Sequence, residues 1–298
     1  MINIHESIET NYNKGMGYSI GLNSSYGNLL DVERYIKEAV KKRGLEVSFD
    51  VMAGENIYFK TINYTTYAGC ITIHPLNTEQ SLRQMYEAYA DNTKAAGYID
   101  YFKSKIESNA CKYTFDEYKD TESKKVLVVL PGGNKLKEQI DVGSLARAIN
   151  THGADNVLCK KHPISAEEPY KELNDFFGGV LNFADKKSNL YDLMKGSEYV
   201  YSTLISESPL FAHVLGKKLG RLDLFQNRER ASFMHINHFL YSTRNTTEWI
   251  ERTFSSPKSG IINPEVDSDW KNKVDAYLDY ILDVRSMYKY AYGFCEET

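Results

Sequence analysis

The sequence predicts an α/β protein with a less regular first half and a doubly wound second half, and three observations carry that expectation. Short apolar runs of strand type, Val126-Leu127-Val128-Val129-Leu130, Val157-Leu158-Cys159 and Tyr199-Val200-Tyr201, alternate with stretches of helical spacing. Each run stops at glycine, proline, hydroxyl or cationic residues and a helical pattern follows, the order in which parallel strands hand over to crossover helices. The chain has 298 residues, 42% hydrophobic and 26% charged, which is enough for two domains of ordinary size.

Taken in order, Tyr18 to Leu22 reads as the first strand and Asn23 to Asn28 as a loop. Leu29, Val32, Ile36 and Val40 then recur at helical spacing up to a basic turn, Lys41-Lys42-Arg43, with Gly44 as the cap. Leu45 to Phe49 alternates as a strand, Tyr58 to Tyr67 is rich in β-branched and aromatic residues, and Gly69 to Ile73 is a strand ending at His74-Pro75. Asn77 or Thr78 caps a helix through about Ala90, and helical sequence continues toward Ser108.

The charged stretch from Lys112 to Lys125 has no apolar period and reads as a linker, which divides the chain into residues 1–121, 122–260 and a closing segment 261–298. After it, the Val126 strand is broken by Pro131-Gly132-Gly133-Asn134, and a helix over Ser144 to Thr151 leads to the Val157 strand, which stops at Lys160-Lys161-His162-Pro163. Ser165-Ala166-Glu167-Glu168 has capping-box spacing for a helix through Phe177. Val180 to Phe183 reads as a strand, Ser188 as the cap of a helix through Lys195, and Lys218 to Leu222 as the strand after a helix that opens at Pro209. Thr247 to Phe254 looks helical. Asp267 to Tyr290 is the longest helical pattern, with Trp270, Val274, Tyr277, Leu278, Ile281, Val284 and Tyr288 on one stripe that needs a surface to cover.

Several function classes are disfavoured. No apolar run approaches the roughly 18–20 residues that span a bilayer, and the first residues lack the order of a signal peptide, so no membrane insertion and a cytoplasmic location are expected. Cys70, Cys111, Cys159 and Cys295 are too scattered for a zinc site or a disulfide framework. A net charge of -4 does not draw the whole protein to nucleic acid. Neither a Walker loop nor GxGxxG is present, against an ordinary NTPase or dehydrogenase.

The residues that remain collect at three strand ends. Gly132, Gly133 and Asn134 follow one strand, where a bare backbone can approach phosphate. Lys161 and His162 end the next and suit neutralisation of charge on a leaving nucleotide. Ser202, Thr203, Ser206, Glu207 and Ser208 follow a third, with a helix expected to open near Ser206 and offer its unpaired N–H groups.

This order of motifs, a Pro-Gly-Gly loop, Lys160-Lys161-His162-Pro163, and Ser202-Thr203 leading to a helix and Leu215-Gly216-Lys217-Lys218, resembles the carboxy-terminal donor domain of GT-B glycosyltransferases. It is most similar to the bacterial sialyl-, polysialyl- and capsule Kdo-transferase groups, over residues 124–222. The resemblance implies two Rossmann-like domains facing a cleft, with the last helix returning to the first domain. It also implies that His162, Ser202 and Thr203 hold the donor's phosphates, that Glu207 lies by the ribose or sugar, and that the co-substrate is a UDP-, CMP- or CDP-linked sugar with no further cofactor and no metal.

The first half lacks the paired acidic motif of the sialyl groups. An inverting transfer would need a base near the acceptor hydroxyl, for which His74, Glu55 and Asp31 are the candidates; a retaining one would not. The Asn-, Lys-, Ile- and Tyr-rich composition suits a bacteriophage enzyme acting in the host cytoplasm on hydroxymethylated bases in DNA, with Lys41-Lys42-Arg43, Lys103, Lys105 and Lys186-Lys187 as basic clusters that would follow a backbone. A bacterial surface glycan is the competing acceptor. A nucleotide-sugar epimerase and a non-catalytic nucleotide-binding module are the other readings, and oligomeric state is left open.

Overall fold

The computed structural model describes residues 2–4, 20–22, 27–45, 47–49, 62–75, 78–91, 93–115, 117–223 and 234–291. Its first half contains β1 (Ile2–Ile4), β2 (Ile20–Leu22), α1 (Gly27–Lys42), β3 (Val47–Phe49), β4 (Ile62–Tyr67), β5 (Cys70–Pro75), α2 (Thr78–Ala90), α3 (Tyr98–Glu107) and β6 (Tyr113–Phe115). There follow β7 (Val126–Val129), α4 (Leu136–Gln139), α5 (Val142–His152), β8 (Val157–Lys160), α6 (Glu168–Phe176), α7 (Leu190–Lys195), β9 (Tyr199–Ser202), α8 (Ser208–Val214) and β10 (Lys218–Arg221). The chain closes with α9 (Met234–Ser242), α10 (Thr246–Ser255), β11 (Ile261–Ile262) and α11 (Trp270–Ala291). The protein is therefore mixed α/β, and none of the described helices is long and apolar enough to cross a membrane. It divides into one compact unit of Met1–Met16, Ser24–Tyr98 and Glu248–Thr298, and a second of Gly17–Asn23 and Ile99–Thr247.

The first unit has a five-stranded sheet in the order β11-β5-β4-β1-β3. β1 runs parallel to β3 and β4, whereas β5 is antiparallel to both β4 and β11. The sheet is thus mixed, not the parallel sheet of the Rossmann-like first domain that the resemblance implies. β4 and β5 form a hairpin whose turn residues Ala68 and Gly69 both take positive φ, 53° and 81°, the handedness that matches the twist of the paired strands. The first strand is also displaced from expectation. Ile2–Ile4 supplies the strand before α1, while Ile20–Leu22 pairs antiparallel with β6 in the second unit.

The two apolar stripes read from the sequence meet. Leu29, Val32, Ile36 and Val40 of α1 share one buried cluster with Ile71 and Ile73 of β5, Ile262 of β11, and Val274, Tyr277, Leu278 and Ile281 of α11. The side chains of Val284 and Tyr288 lie outside the described residues. Around this apolar contact, Arg43 reaches Asp275 and Asp279 at 2.9 Å each, and Tyr35 packs edge-on to Trp270 at 5.4 Å. Gly260, just before β11, has φ +66°, and a Cβ there would stand 2.1 Å from the Ile73 carbonyl oxygen and 2.8 Å from the Tyr277 ring. Only glycine fits this approach. Beside it Lys273, buried, pairs with Asp267 at 2.9 Å and donates to the Phe254 carbonyl, while Tyr98 donates to the same carboxylate at 2.6 Å. Every charge in this group is met by a partner, as burial requires.

The second unit carries a four-stranded sheet in the order β10-β9-β7-β8, with every neighbouring pair parallel. The expected Val180–Phe183 strand is reduced to a single parallel bridge of Phe183 to Cys159 beyond β8. Val126, Val128, Val157 and Cys159 of the sheet pack with Leu145 and Ile149 of α5 and Tyr170 and Leu173 of α6. The chain starts at the central β7, moves out through β8 to Phe183, then crosses back to β9 on the far side of β7 and moves out again to β10. That reversal makes a Rossmann-like doubly wound arrangement with a topological switch point between β7 and β9, where such sheets bind ligands at their carboxyl ends. The charged stretch expected to be a linker instead carries β6 and belongs to this unit.

Candidate functional site

The loops after β7, β8 and β9 lie at the carboxyl ends of neighbouring parallel strands, and a buried tyrosine joins the first two. Tyr170 of α6 donates its hydroxyl to the Pro131 carbonyl at 2.9 Å and accepts from the His162 amide at 3.1 Å. The Leu130 amide also donates to the Lys160 carbonyl at 3.0 Å. Gly133 packs against Pro169, whose Cγ would lie 3.0 Å from an added Cβ, and Asn134 stands in the short 3-10 turn Gly133–Lys135. The Gly133 amide donates to Ser165 Oγ at 2.9 Å. Ser165 was expected to cap α6; its hydroxyl goes to the glycine loop instead, and the residue at the cap position, Glu167, makes no side-chain capping bond.

His162 is half-buried, edge-on to the Tyr113 ring at 5.3 Å, and its Nδ1 is shut off from solvent with no hydrogen-bond partner among the described residues. Burial first, and then the charges of Lys112, Lys160 and Lys186, push its pKa down to about 4, so the ring is neutral near pH 7. Lys160 is buried and donates to the carbonyls of Lys186 at 2.7 Å and Asp185 at 3.4 Å; burial lowers its pKa to about 8. Lys161 meets Glu167 at 2.5 Å, and Lys186 lies 3.8 Å from the other oxygen of that carboxylate. Lys112, just before β6, meets Glu207 at 3.3 Å. Three of these lysines, Lys112, Lys160 and Lys186, thus bear on one uncharged imidazole.

After β9 the hydroxyls are largely spent on each other. Ser208 donates to Ser202 at 2.7 Å, Ser206 lies 2.7 Å from Ser208, and both Ser202 and Ser208 are buried. The helix begins at Ser208, not Ser206, and its first amides are not open. The Ser208 amide goes to Ser206 Oγ, Pro209 has no N–H, and the Leu210 amide goes to the Glu207 carbonyl. The helix-end phosphate cradle expected from the sequence is therefore closed by its own serines and proline. Thr203 differs: it is 1% exposed and its Oγ1 has no partner among the described residues. Asn237 of α9 fixes this loop by donating to the carbonyls of Leu204 and Ser206 at 2.6 and 2.7 Å. Asp223 accepts from the Leu204 amide at 3.0 Å, and Tyr241 donates to the Ser202 carbonyl at 3.0 Å.

The structure thus brings Gly132, Gly133, Asn134, Lys161, His162, Thr203, Ser206 and Glu207 to the carboxyl ends of three neighbouring strands. Sequence reasoning missed Lys112, Lys160, Ser165, Tyr170, Lys186 and Asn237 as parts of the site. Only the doublets Lys160-Lys161 and Lys186-Lys187 gave a local signal, and there the pairs could not be distinguished from solvated surface lysines.

The base candidates belong to the first unit. His74, on β5, is buried, its Nδ1 lies 2.9 Å from the Pro75 carbonyl oxygen, and burial lowers its pKa to about 4. Asp31 is exposed on α1 beside Arg34 at 3.7 Å, an ordinary one-turn ion pair. Glu55 lies outside the described residues. Neither described residue has the setting of a poised base, one being walled in and the other fully solvated.

Among the basic clusters, Arg43 is committed to Asp275 and Asp279, Lys103 lies near Asp100, and Lys105 covers the Tyr101 ring at 4.9 Å. No protein-family model matches the chain, and no curated protein sequence matches it.

Proposed function

We propose that the protein is a nucleotide-sugar-dependent glycosyltransferase of GT-B type and that its second unit binds the donor. The observation that carries this reading is the pair of orphaned polar atoms on the loops flanking β7, His162 Nδ1 and Thr203 Oγ1. Buried polar atoms are rarely left without partners, and two of them at the carboxyl ends of the strands on either side of β7 support a ligand that supplies the missing bonds. The lysines around His162 favour an anionic ligand. The motif order that resembles sialyl- and Kdo-transferases adds the sugar nucleotide as the class.

In this reading the donor's phosphate accepts from His162 and Thr203, and Lys112, released from Glu207, moves toward the departing nucleotide. Positive charge held there stabilises the leaving group as the glycosidic bond to phosphate breaks. The acceptor contributes a hydroxyl, whose oxygen bonds the sugar's anomeric carbon as the bond to phosphate breaks and whose proton passes to the departing phosphate. The net charge of -4 and the ion pairs of Arg43 with Asp275 and Asp279 weigh toward a glycan and against a DNA duplex, which needs free cations along a backbone. A panel of UDP-, CMP-, CDP- and GDP-sugars, screened by thermal shift, identifies the donor, because a ligand that binds the folded state raises Tm. His162→Ala should then lose about 1.5–3 kcal/mol of nucleotide affinity with little change in stability, as expected for one charge-assisted hydrogen bond. Unchanged affinity in that variant would remove His162 from the donor site.

A further inference from the structure

We propose that Gln139 reads the nucleobase of the bound nucleotide, its side-chain amide pairing with the edge of a pyrimidine ring while His162 and Thr203 hold the phosphate. The proposal rests on the nucleotide-binding reading above and adds to it the residue that recognises the base.

Gln139 is the last residue of α4, in the stretch between β7 and α5. It is 6% exposed, and its Oε1 is shut off from solvent with no hydrogen-bond partner among the described residues. Backbone bonds fix where this stretch lies. At its start the Pro131 carbonyl is tied through Tyr170 to the His162 loop after β8. At its end the Asp141 amide donates to the Leu222 carbonyl at 2.7 Å, just past β10, and the Leu222 amide donates to the Ser202 carbonyl at 2.9 Å. Residues 131–141 therefore run across the carboxyl ends of the sheet, from the β8 side to the β10 side, over the crevice between β7 and β9. Gln139 comes just before the link to Leu222, and Thr203 comes just after the Ser202 carbonyl that receives Leu222. A ligand whose phosphate lies between His162 and Thr203 thus has Gln139 ahead of it on the β10 side.

The chemistry of the group selects the part of the ligand that it meets. A carboxamide offers a donor and an acceptor side by side. That is the complement of the ring N–H and carbonyl of uracil, or of the amino group and ring nitrogen of cytosine, and it is the match by which asparagine and glutamine read an adenine edge in DNA. An unpaired buried amide atom is costly, and a base edge would relieve that cost. The transferred sugar is the poorer partner. It must stay open to the acceptor hydroxyl, whereas the base takes no part in bond exchange and can be enclosed.

Calorimetric titration of the full chain with UMP, CMP and ribose 5-phosphate, which lacks only the base, tests this. One of the two nucleotides should bind at least about tenfold more tightly than ribose 5-phosphate. Gln139→Met, and independently Gln139→Leu, should weaken that nucleotide about tenfold, since the base edge then lies unpaired, and leave ribose 5-phosphate within about twofold of the parent protein. Without ligand both variants should unfold at the parent's midpoint or above it, because an apolar chain of similar size replaces an unpaired amide. Unchanged nucleotide affinity in the variants overturns the proposal, and so does an equal loss for ribose 5-phosphate. A lowered midpoint in both variants also overturns it, by showing that the amide serves the fold. If none of the three compounds binds, the donor-binding reading itself fails and takes the proposal with it; equal binding of all three to the parent protein leaves that reading standing and sinks base recognition alone.

Discussion

Replacing Tyr170 by phenylalanine keeps the ring in its pocket and removes only the hydroxyl. That oxygen donates to Pro131 at 2.9 Å and accepts from the His162 amide at 3.1 Å, and the side chain is fully buried, so water cannot take its place. The variant leaves a carbonyl and an amide orphaned. Each buried unpaired group costs about 1–3 kcal/mol, and some relaxation is available to loops, so a loss of about 2–4 kcal/mol is expected. At about 3 °C per kcal/mol for a unit of this size, Tm of the second unit should drop by roughly 6–12 °C. The assay must report on that unit. Trp249 and Trp270, the two tryptophans, both lie in the first unit, so tryptophan emission is blind to the change. Native-state hydrogen exchange at the β7 and β8 amides reads it directly. Because the hydroxyl joins the glycine loop to the His162 loop, nucleotide affinity should fall in parallel. A stability change under about 0.5 kcal/mol would show that the hydroxyl does not hold these loops together.

Gly260→Ala should destabilise the first unit by about 3 kcal/mol or more, because Cβ would collide with the Ile73 carbonyl and the Tyr277 ring; urea unfolding followed by tryptophan fluorescence measures it, and a neutral variant would mean that β11 can shift freely. Acid should weaken both units. His74 and His162 have folded pKa values lowered to about 4, so between pH 6.5 and 4 the unfolded chain binds protons that the folded chain refuses. The two histidines should contribute no pH dependence above pH 6.5 and cost up to about 1.4 kcal/mol per pH unit each below it, and a flat urea midpoint between pH 7 and 5 would refute this.

What the sequence made legible was whatever repeats along one element. Leu29, Val32, Ile36 and Val40 declare a helix face by spacing, and so do Val274, Tyr277, Leu278 and Ile281, and the structure joins the two faces. The apolar runs at Val126, Val157 and Tyr199 became parallel strands for the same reason. Pairings between distant residues were not legible. Ser165 looked like a cap because the capping pattern is local, while its actual partner, Gly133, is 32 residues away. Lys112 meets Glu207 across 95 residues, and nothing in a charged stretch distinguishes that lysine from its neighbours. The direction of β5 followed from the Ala68-Gly69 turn, which calls for two left-handed residues where alanine gives no warning.

The first unit is assembled from both ends of the described chain, and the second is inserted between them. During synthesis this imposes an order. All strands of the parallel sheet have emerged by Arg221, whereas the cluster around α1 still lacks Ile262, Val274, Tyr277, Leu278 and Ile281. The later-made unit can close first, and the earlier-made one must wait with its apolar stripe uncovered, the condition under which nascent chains aggregate or recruit holding chaperones. A ribosome-stalled chain ending near residue 270, with β10 clear of the exit tunnel and α11 still unmade or inside it, should accordingly resist protease through β7 to β10 and be cut within α1.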